Sequence, residues 1–460
     1  MRRLILPLVL LATACVPAVP QDVATRAATV ENSTLPAMKV FPAPRPDAPG
    51  LSNADIARDF LDLSFTLESG RALPRLTRFE EPIRVRVAGT PPPTLGPDLA
   101  RLLQRLRTEA GIDIARTSGR AQLVVEAVPR SEIRANLPQA ACFVVPGVAS
   151  LAEYRAARRS SRVSWSKLER RETAAIFVPA DAPPQEVRDC LHEELAQAIG
   201  PLNDLYRLPD SVFNDDNVHT VLTGFDMLVL RAYNDPALAS GMTREEVAAR
   251  LPAILARLNP AGERVAPRAV SATPRTWIDA IQTALGPGAG DGDRRAAALR
   301  ALRIAAEAGW RDHRRGFSHY AVGRILLDEN PEAAKTEFER ADRIFATSPY
   351  TTLHRAYVAS QLAAYAITRN RPDEALALLR PHLEVAARHE NAALLSTLML
   401  LRAEALDLDG RVAEGQAVRL DSLGWARYGF GADWAVRAKM REIGALNPLN
   451  GTLDGRIGRT

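Results

Sequence analysis

Pro183-Pro-Gln-Glu-Val-Arg-Asp-Cys-Leu-His-Glu-Glu-Leu-Ala-Gln-Ala-Ile-Gly200 is the stretch on which the reading of this chain turns. Proline suits the first turn of a helix, where its missing N–H has no intrahelical partner to lose, and Gly200 is placed to end the helix. Val187, Leu191, Leu195, Ala198 and Ile199 recur at helical spacing and form the stripe expected to be buried. Glu193 and Gln197, four residues apart, share another side, with Glu194 beside them.

A zincin peptidase needs His-Glu-x-x-His on a helix: the two histidines reach one Zn²⁺ and the glutamate activates its bound water. Read from His192 that register fails, because the second ligand would be Ala196, which has no donor atom. Read from Glu193 the run continues through Gly200 to Asn203 and Asp204 with the spacing of the metzincin pattern His-Glu-x-x-His-x-x-Gly-x-x-His. Its glutamate and glycine are present as Glu194 and Gly200. Glu193, Gln197 and Asn203 stand at the three histidine positions.

Downstream, Ser211-Val-Phe-Asn-Asp215 falls where a metzincin has its Ser-x-Met turn, with Phe213 in the methionine's place. Leu222-Thr-Gly-Phe-Asp226, followed by Tyr233, resembles the helix that closes such domains. The combination CLHEELAQAIGPLND, SVFNDD, LTGFD, YNDP and SGM more closely resembles the proteobacterial lipoprotein family known as domain of unknown function 2927. The resemblance covers about residues 120–245, Cys142 and Cys190 included. It implies a fold, zincin-like by way of the metzincin spacing, and brings no activity with it.

Zn²⁺ prefers imidazole and thiolate, whereas carboxylate and amide oxygens suit Ca²⁺, Mg²⁺ or Mn²⁺. Glu193, Gln197 and Asn203 would thus hold a divalent cation other than zinc, and weakly; no cofactor is expected. Asp204, Asp215, Asp216 or Asp226 could add charge, and His219 is the only other histidine close by in sequence. Three readings stay open: a catalytically dead domain kept for binding, a hydrolase with an oxygen-rich metal site and Glu194 as general base, and a solvated helix face with chance spacing. Elsewhere no catalytic pattern stands out. Ser160, Ser161, Ser164 and Ser166 lack a histidine–aspartate arrangement, and Gly286–Gly292 suits a turn better than a phosphate cradle. His313, His319, His354, His382 and His389 sit at unrelated helical positions, as surface or satisfied core residues would.

Working outward, strands are expected over 82–88, 121–128, 141–145 and 174–178, with helices after Ser52-Asn53 and over 98–110. Residues 51–258 therefore read as an α+β zincin-like domain. Residues 259–293, rich in proline and glycine, read as a linker, and 294–446 as an all-α helical-repeat domain, with a flexible tail over 447–460. Pro331-Glu-Ala-Ala334, Pro372-Asp-Glu-Ala375 and Val412-Ala-Glu-Gly415 open helices about forty residues apart, each following an apolar helix and a polar turn. Small residues at such crossings resemble tetratricopeptide repeats, whose period is about thirty-four.

At the N-terminus Arg2-Arg3, the apolar run Leu4–Leu11 and Ala12-Thr13-Ala14 precede Cys15, the order of a secretory signal ending in a lipidation cysteine. Residues 1–15 are thus expected to direct export, with Cys15 lipidated and 16–50 serving as a flexible tether. Val16 follows where an aspartate would favour the inner membrane, so the expected location is the periplasmic face of the outer membrane. The formal charge of +5 falls by two to +3 without Arg2 and Arg3, and the arginines are interspersed with acids. With no basic stripe or stacking aromatics, nucleic acid is not an expected partner. In an oxidising envelope Cys142 and Cys190 should pair. The expected protein is a scaffold that meets an envelope protein through its repeats and the membrane through its lipid.

Overall fold

Each of the four expected strands is present in the computed structural model, which describes residues 33–42 and 46–450. In chain order the first elements are α1 (Asn53–Ser64), β1 (Ile83–Gly89), α2 (Leu95–Thr108), β2 (Ile114–Arg116), β3 (Leu123–Val128) and α3 (Arg130–Asn136). Then come β4 (Phe143–Pro146), α4 (Leu151–Ala157), β5 (Ala174–Pro179), α5 (Pro184–Ile199), α6 (Gly224–Tyr233) and α7 (Arg244–Leu258). Ser52 caps α1 as expected, its hydroxyl accepting from the Asp55 amide. Three residues of β2 are too few to show a period, which is why the sequence did not announce it.

The strands form one mixed sheet in the order β2-β1-β3-β5-β4. β1 pairs in parallel with β2 (Ile83 opposite Ile114) and β3 (Val85 opposite Leu123), and β3 with β5 (Leu123 opposite Ala174). β4 runs antiparallel at the edge, Phe143 opposite Phe177. Every residue of β5 is buried, as its unbroken apolar run requires of a central strand covered on both faces. Ala174, Ile176 and Val178 pack into the main core with α1, α2 and α5–α7, while Ala175 and Phe177 meet Ile133, Phe143 and Leu151 on the other face.

The helical part comprises α8 (Arg275–Leu285), α9 (Asp291–Glu307), α10 (His313–Leu326), α11 (Pro331–Phe345), α12 (Thr352–Thr368), α13 (Pro372–Leu379), α14 (His382–Arg388), α15 (Ala392–Leu408), α16 (Val412–Phe430) and α17 (Asp433–Gly444). α8 packs on α9, α10 on α11, α12 on α13 and α15 on α16, each pair resting on the next. Pro331 and Pro372 occupy the first helical turns. Ala334, Ala375 and Gly415, the small residues expected at crossings, are buried; a Cβ on Gly415 would lie 2.9 Å from the Ala403 carbonyl oxygen.

Three expected boundaries differ. The linker over 259–293 is built into the fold: Asn53 and Asn259 exchange hydrogen bonds of 3.1 and 3.0 Å, and the Arg268 amide donates to Asp55. Trp277, fully buried in the helical core, donates to Ser318 Oγ at 3.0 Å, so α8 is the first helix of the helical part. In the expected tether, 35–42 lie along α16: Phe41 stacks on Trp425 at 4.5 Å and the Lys39 amide donates to the Gly424 carbonyl. At the other end Asn447 donates to Glu404, which fixes the start of the expected tail. The expected signal segment, with Cys15, lies outside the described residues, as do 451–460. From Leu35 the described chain forms one compact unit, and none of its described helices is long and apolar enough to cross a membrane.

Candidate functional site

α5 is the helix that its sequence predicted, from Pro184 to a stop at Gly200. The glycine is required by space: a Cβ there would lie 2.4 Å from Leu230 Cδ2 and 2.9 Å from the Ala196 carbonyl oxygen. Val187, Leu191, Leu195, Ala198 and Ile199 are buried as expected. The buried Arg171 closes the C-terminal end, donating to the carbonyls of Gln197 and Ala198 at 2.9 and 2.8 Å, where a cation also suits the helix dipole. The Cys142–Cys190 disulfide forms as expected and ties α5 to the start of edge strand β4. His192 takes no part in the site: buried, it accepts the Leu222 amide at Nδ1, and burial with Arg105 and Arg188 nearby keeps it neutral.

Almost no side of α5 is left to solvent, so a solvated face does not describe it. Glu194 and Gln197 are buried and, with Glu193, line a cleft of about 710 Å³. Its other walls are residues 139–144 leading into β4, Trp165, the turn Leu67–Ser69, Asp215 and Gln282. A side lobe of about 200 Å³, lined by Glu68, Asp204, Tyr206 and Arg275, shares Asp215 and Gln282 with it.

The three positions expected as ligands do not converge. Asn203 is turned away, its amide donating to the Asp62 carbonyl in α1 at 3.0 Å. Gln197 remains in the cleft with its amide donating to Glu68 Oε1 at 3.1 Å. In Asn203's stead the fold brings Glu68, Asp204 and Asp215 toward Glu193 and Glu194. Of these Glu68, on a turn after α1, carried no local signal; only the fold places it opposite α5. Asp215 accepts from Tyr206 Oη at 3.0 Å and Gln282 Nε2 at 2.9 Å, and Asp204 Oδ1 is buried with no hydrogen-bond partner.

Desolvation in the cleft, then the charges of Glu68, Asp215 and Asp189, push Glu193 up to about 8. Burial followed by Glu193 and Glu68 holds Glu194 well above the usual carboxylate range, and burial with four neighbouring acids does the same to Asp204. The charges that bear most on these three are all negative. Such a cluster holds protons at neutral pH and would release them to an arriving cation.

Asp226 has a structural role. Fully buried, it accepts from the amides of Val212 and Thr223 at 3.1 and 2.8 Å and from the Ser211 hydroxyl, fastening the turn under α5 to the start of α6. Phe213 fills the core beneath that turn, and Asp216 pairs with His354 at 3.1 Å. The serines at 160–166 form no triad: Ser164 Oγ lies 3.2 Å from Ser166 Oγ. Residues 286–290 connect α8 to α9, and Gly292 lies in the first turn of α9.

His313, His319 and His354 are buried and hydrogen-bonded, to the Tyr206 carbonyl, Glu337 and Asp216 respectively, as expected of core histidines. His313, His354 and His389, far apart in sequence, gather with His219 where the α+β part meets the helices. Ring centroids are 4.9 Å apart for His219–His389, 6.0 Å for His219–His354 and 6.1 Å for His313–His354. Helical spacing within one segment could not reveal this, because each residue comes from a different element.

Residues 53–253 match a family model described as "Protein of unknown function (DUF2927)". The match spans less than half of the chain and runs from the start of α1 through most of α7, wider than the motifs suggested. No curated protein and no solved structure matches the chain significantly.

Proposed function

We propose that this chain is a cell-envelope lipoprotein whose zincin-like domain no longer catalyses, and whose acidic cleft holds a basic, extended segment of a partner protein. Tetratricopeptide-like helices widen the groove on one side. The observation that carries this reading is the collection of Glu68, Glu193, Glu194, Asp204 and Asp215 on one cleft and its side lobe, where the dominant charges felt by Glu193, Glu194 and Asp204 are other carboxylates. A lysine or arginine entering there relieves that repulsion and gains desolvated, charge-assisted hydrogen bonds. β4 adds a second feature. It is the edge strand of the sheet, and its Phe143 and Val144 line the cleft, so an extended chain seated there would lie beside it. Beyond Asp216 and Asn217 a cavity of about 340 Å³, lined by Tyr320, Arg324 and Tyr357, continues the groove onto the helices.

The non-catalytic half of the reading rests on side-chain direction: Asn203 faces α1 and the Gln197 amide is held by Glu68. A second reading, a hydrolase with Glu194 as general base, draws support from the raised proton affinities of Glu193 and Glu194, since acid–base groups work best near the ambient pH.

The test uses the purified full chain with fluorescent peptides rich in lysine and arginine, neutral, or rich in acids. Basic peptides should bind best, more weakly at high salt, and at least tenfold more weakly to the Glu193→Gln, Asp215→Asn double variant. Equal binding of the acidic peptides refutes the reading. Peptide cleavage that Glu194→Gln abolishes replaces it with the hydrolase.

A further inference from the structure

A different group of donors lies outside the cleft, where the loop between α5 and α6 meets the end of α14. One ring nitrogen of His219, one of His389 and a carboxylate oxygen of Asp210 all lie within 4.8 Å of one another. His219 Nδ1 is 3.6 Å from Asp210 Oδ1, and the two rings meet edge to face. His219 is only 6% exposed and its Nε2 has no hydrogen-bond partner. A buried ring nitrogen left without a partner is destabilising, and a bound ion would satisfy it.

We propose that Asp210, His219 and His389 form a site for a divalent transition metal, with Zn²⁺ the best match, that clips the α+β part to the helices. Two imidazoles and a carboxylate are the donor set zinc accepts, and tetrahedral ligands at about 2.0–2.1 Å from the metal lie about 3.3 Å apart. The observed separations, all within 4.8 Å, would contract by at most about 1.5 Å on binding. Burial, and for each ring a neighbouring histidine, lowers His219 to about 3 and His389 to about 4, leaving both as the neutral imidazoles that ligate metals. Water completes the fourth position. Behind the site His354, 6.0 Å from His219, is itself held by Asp216. The site is separate from the cleft reading: neither Glu193 nor Glu194 belongs to it.

The full chain, stripped with a chelator, is titrated with Zn²⁺ while bound metal and melting temperature are recorded; Co²⁺ provides an absorption spectrum of the ligand field. One equivalent is expected, with a rise of several degrees in melting temperature and a tetrahedral Co²⁺ spectrum. Asp210→Asn and His389→Gln, both at half-buried positions and both milder than truncating His219, should each lower affinity at least tenfold. Glu193→Gln should leave it unchanged. Failure to retain Zn²⁺ overturns the proposal. So does retention that Asp210→Asn and His389→Gln leave intact, or that Glu193→Gln abolishes.

Discussion

Replacing Glu193 with glutamine should make this protein more stable at neutral pH, and by an amount that depends on pH in one direction only. In the unfolded chain its carboxyl ionises near 4.5; in the fold desolvation and facing acids raise it to about 8. Between those values the folded state binds the extra proton, so wild-type stability falls as pH rises through the window. An undiminished shift of this size would be worth roughly 5 kcal/mol once both states are ionised. Glu193 is only half-buried, and its titration is tied to that of the facing acids, which reduces the expected gain to about 2 kcal/mol at pH 7. Below pH 4.5 both states carry the proton, glutamine mimics the neutral acid, and the gain should vanish. Urea unfolding of wild type and Glu193→Gln from pH 4 to pH 8.5 measures this directly. A variant no more stable than wild type at pH 7–8, or a gain that persists at pH 4, would show that the cleft acids do not repel one another as described.

The disulfide closes a loop with a sequence separation of 48 residues, so Cys142→Ser with Cys190→Ser should cost about 4 kcal/mol in the chain-entropy description, seen as a lower unfolding midpoint that reductant no longer shifts. Arg171→Met should lose about 2–4 kcal/mol, because the α5 carbonyls of Gln197 and Ala198 and the Tyr233 hydroxyl lose a buried donor; denaturant unfolding reads the loss. Gly200→Ala should cost about 1–3 kcal/mol through overlap with Leu230, and Leu230→Ala in the same chain should recover part of it in a double-mutant cycle.

What the sequence revealed was local and periodic. Alternation located β1, short apolar runs located β3, β4 and β5, proline marked the starts of α5, α11 and α13, and the two cysteines remaining after Cys15 paired. What it hid was long-range. Glu68 joins the cleft from a turn 125 positions before Glu193, and Asn203, correctly spaced for a ligand, is drawn to Asp62 because the chain after Gly200 runs along the end of α1, where the Leu202 amide also donates to the Leu63 carbonyl. Spacing along one helix fixes direction only while the helix lasts; past Gly200 the chain is free to turn, and there the metzincin register ceases to predict geometry. The proline- and glycine-rich stretch after Asn259 misled for a related reason: composition reports local stiffness, whereas the burial of Trp277 and the Arg268–Asp55 contacts are made with distant segments.

Finally, α5 is engaged in every direction around its axis. Val187, Leu191 and Leu195 enter the core, Glu193, Glu194 and Gln197 the cleft, and Cys190 the bridge to β4. Gln185 donates to Asn391 at 3.1 Å and Arg188 to the Glu390 carbonyl at 2.8 Å, reaching the helical part. One residue inserted or deleted midway would rotate everything beyond it by about 100° and exchange these roles at a stroke. The helix can therefore change by substitution but not by length. Across relatives of this chain the interval from Cys190 to Gly200 should stay fixed in number even where the residues between them have been replaced.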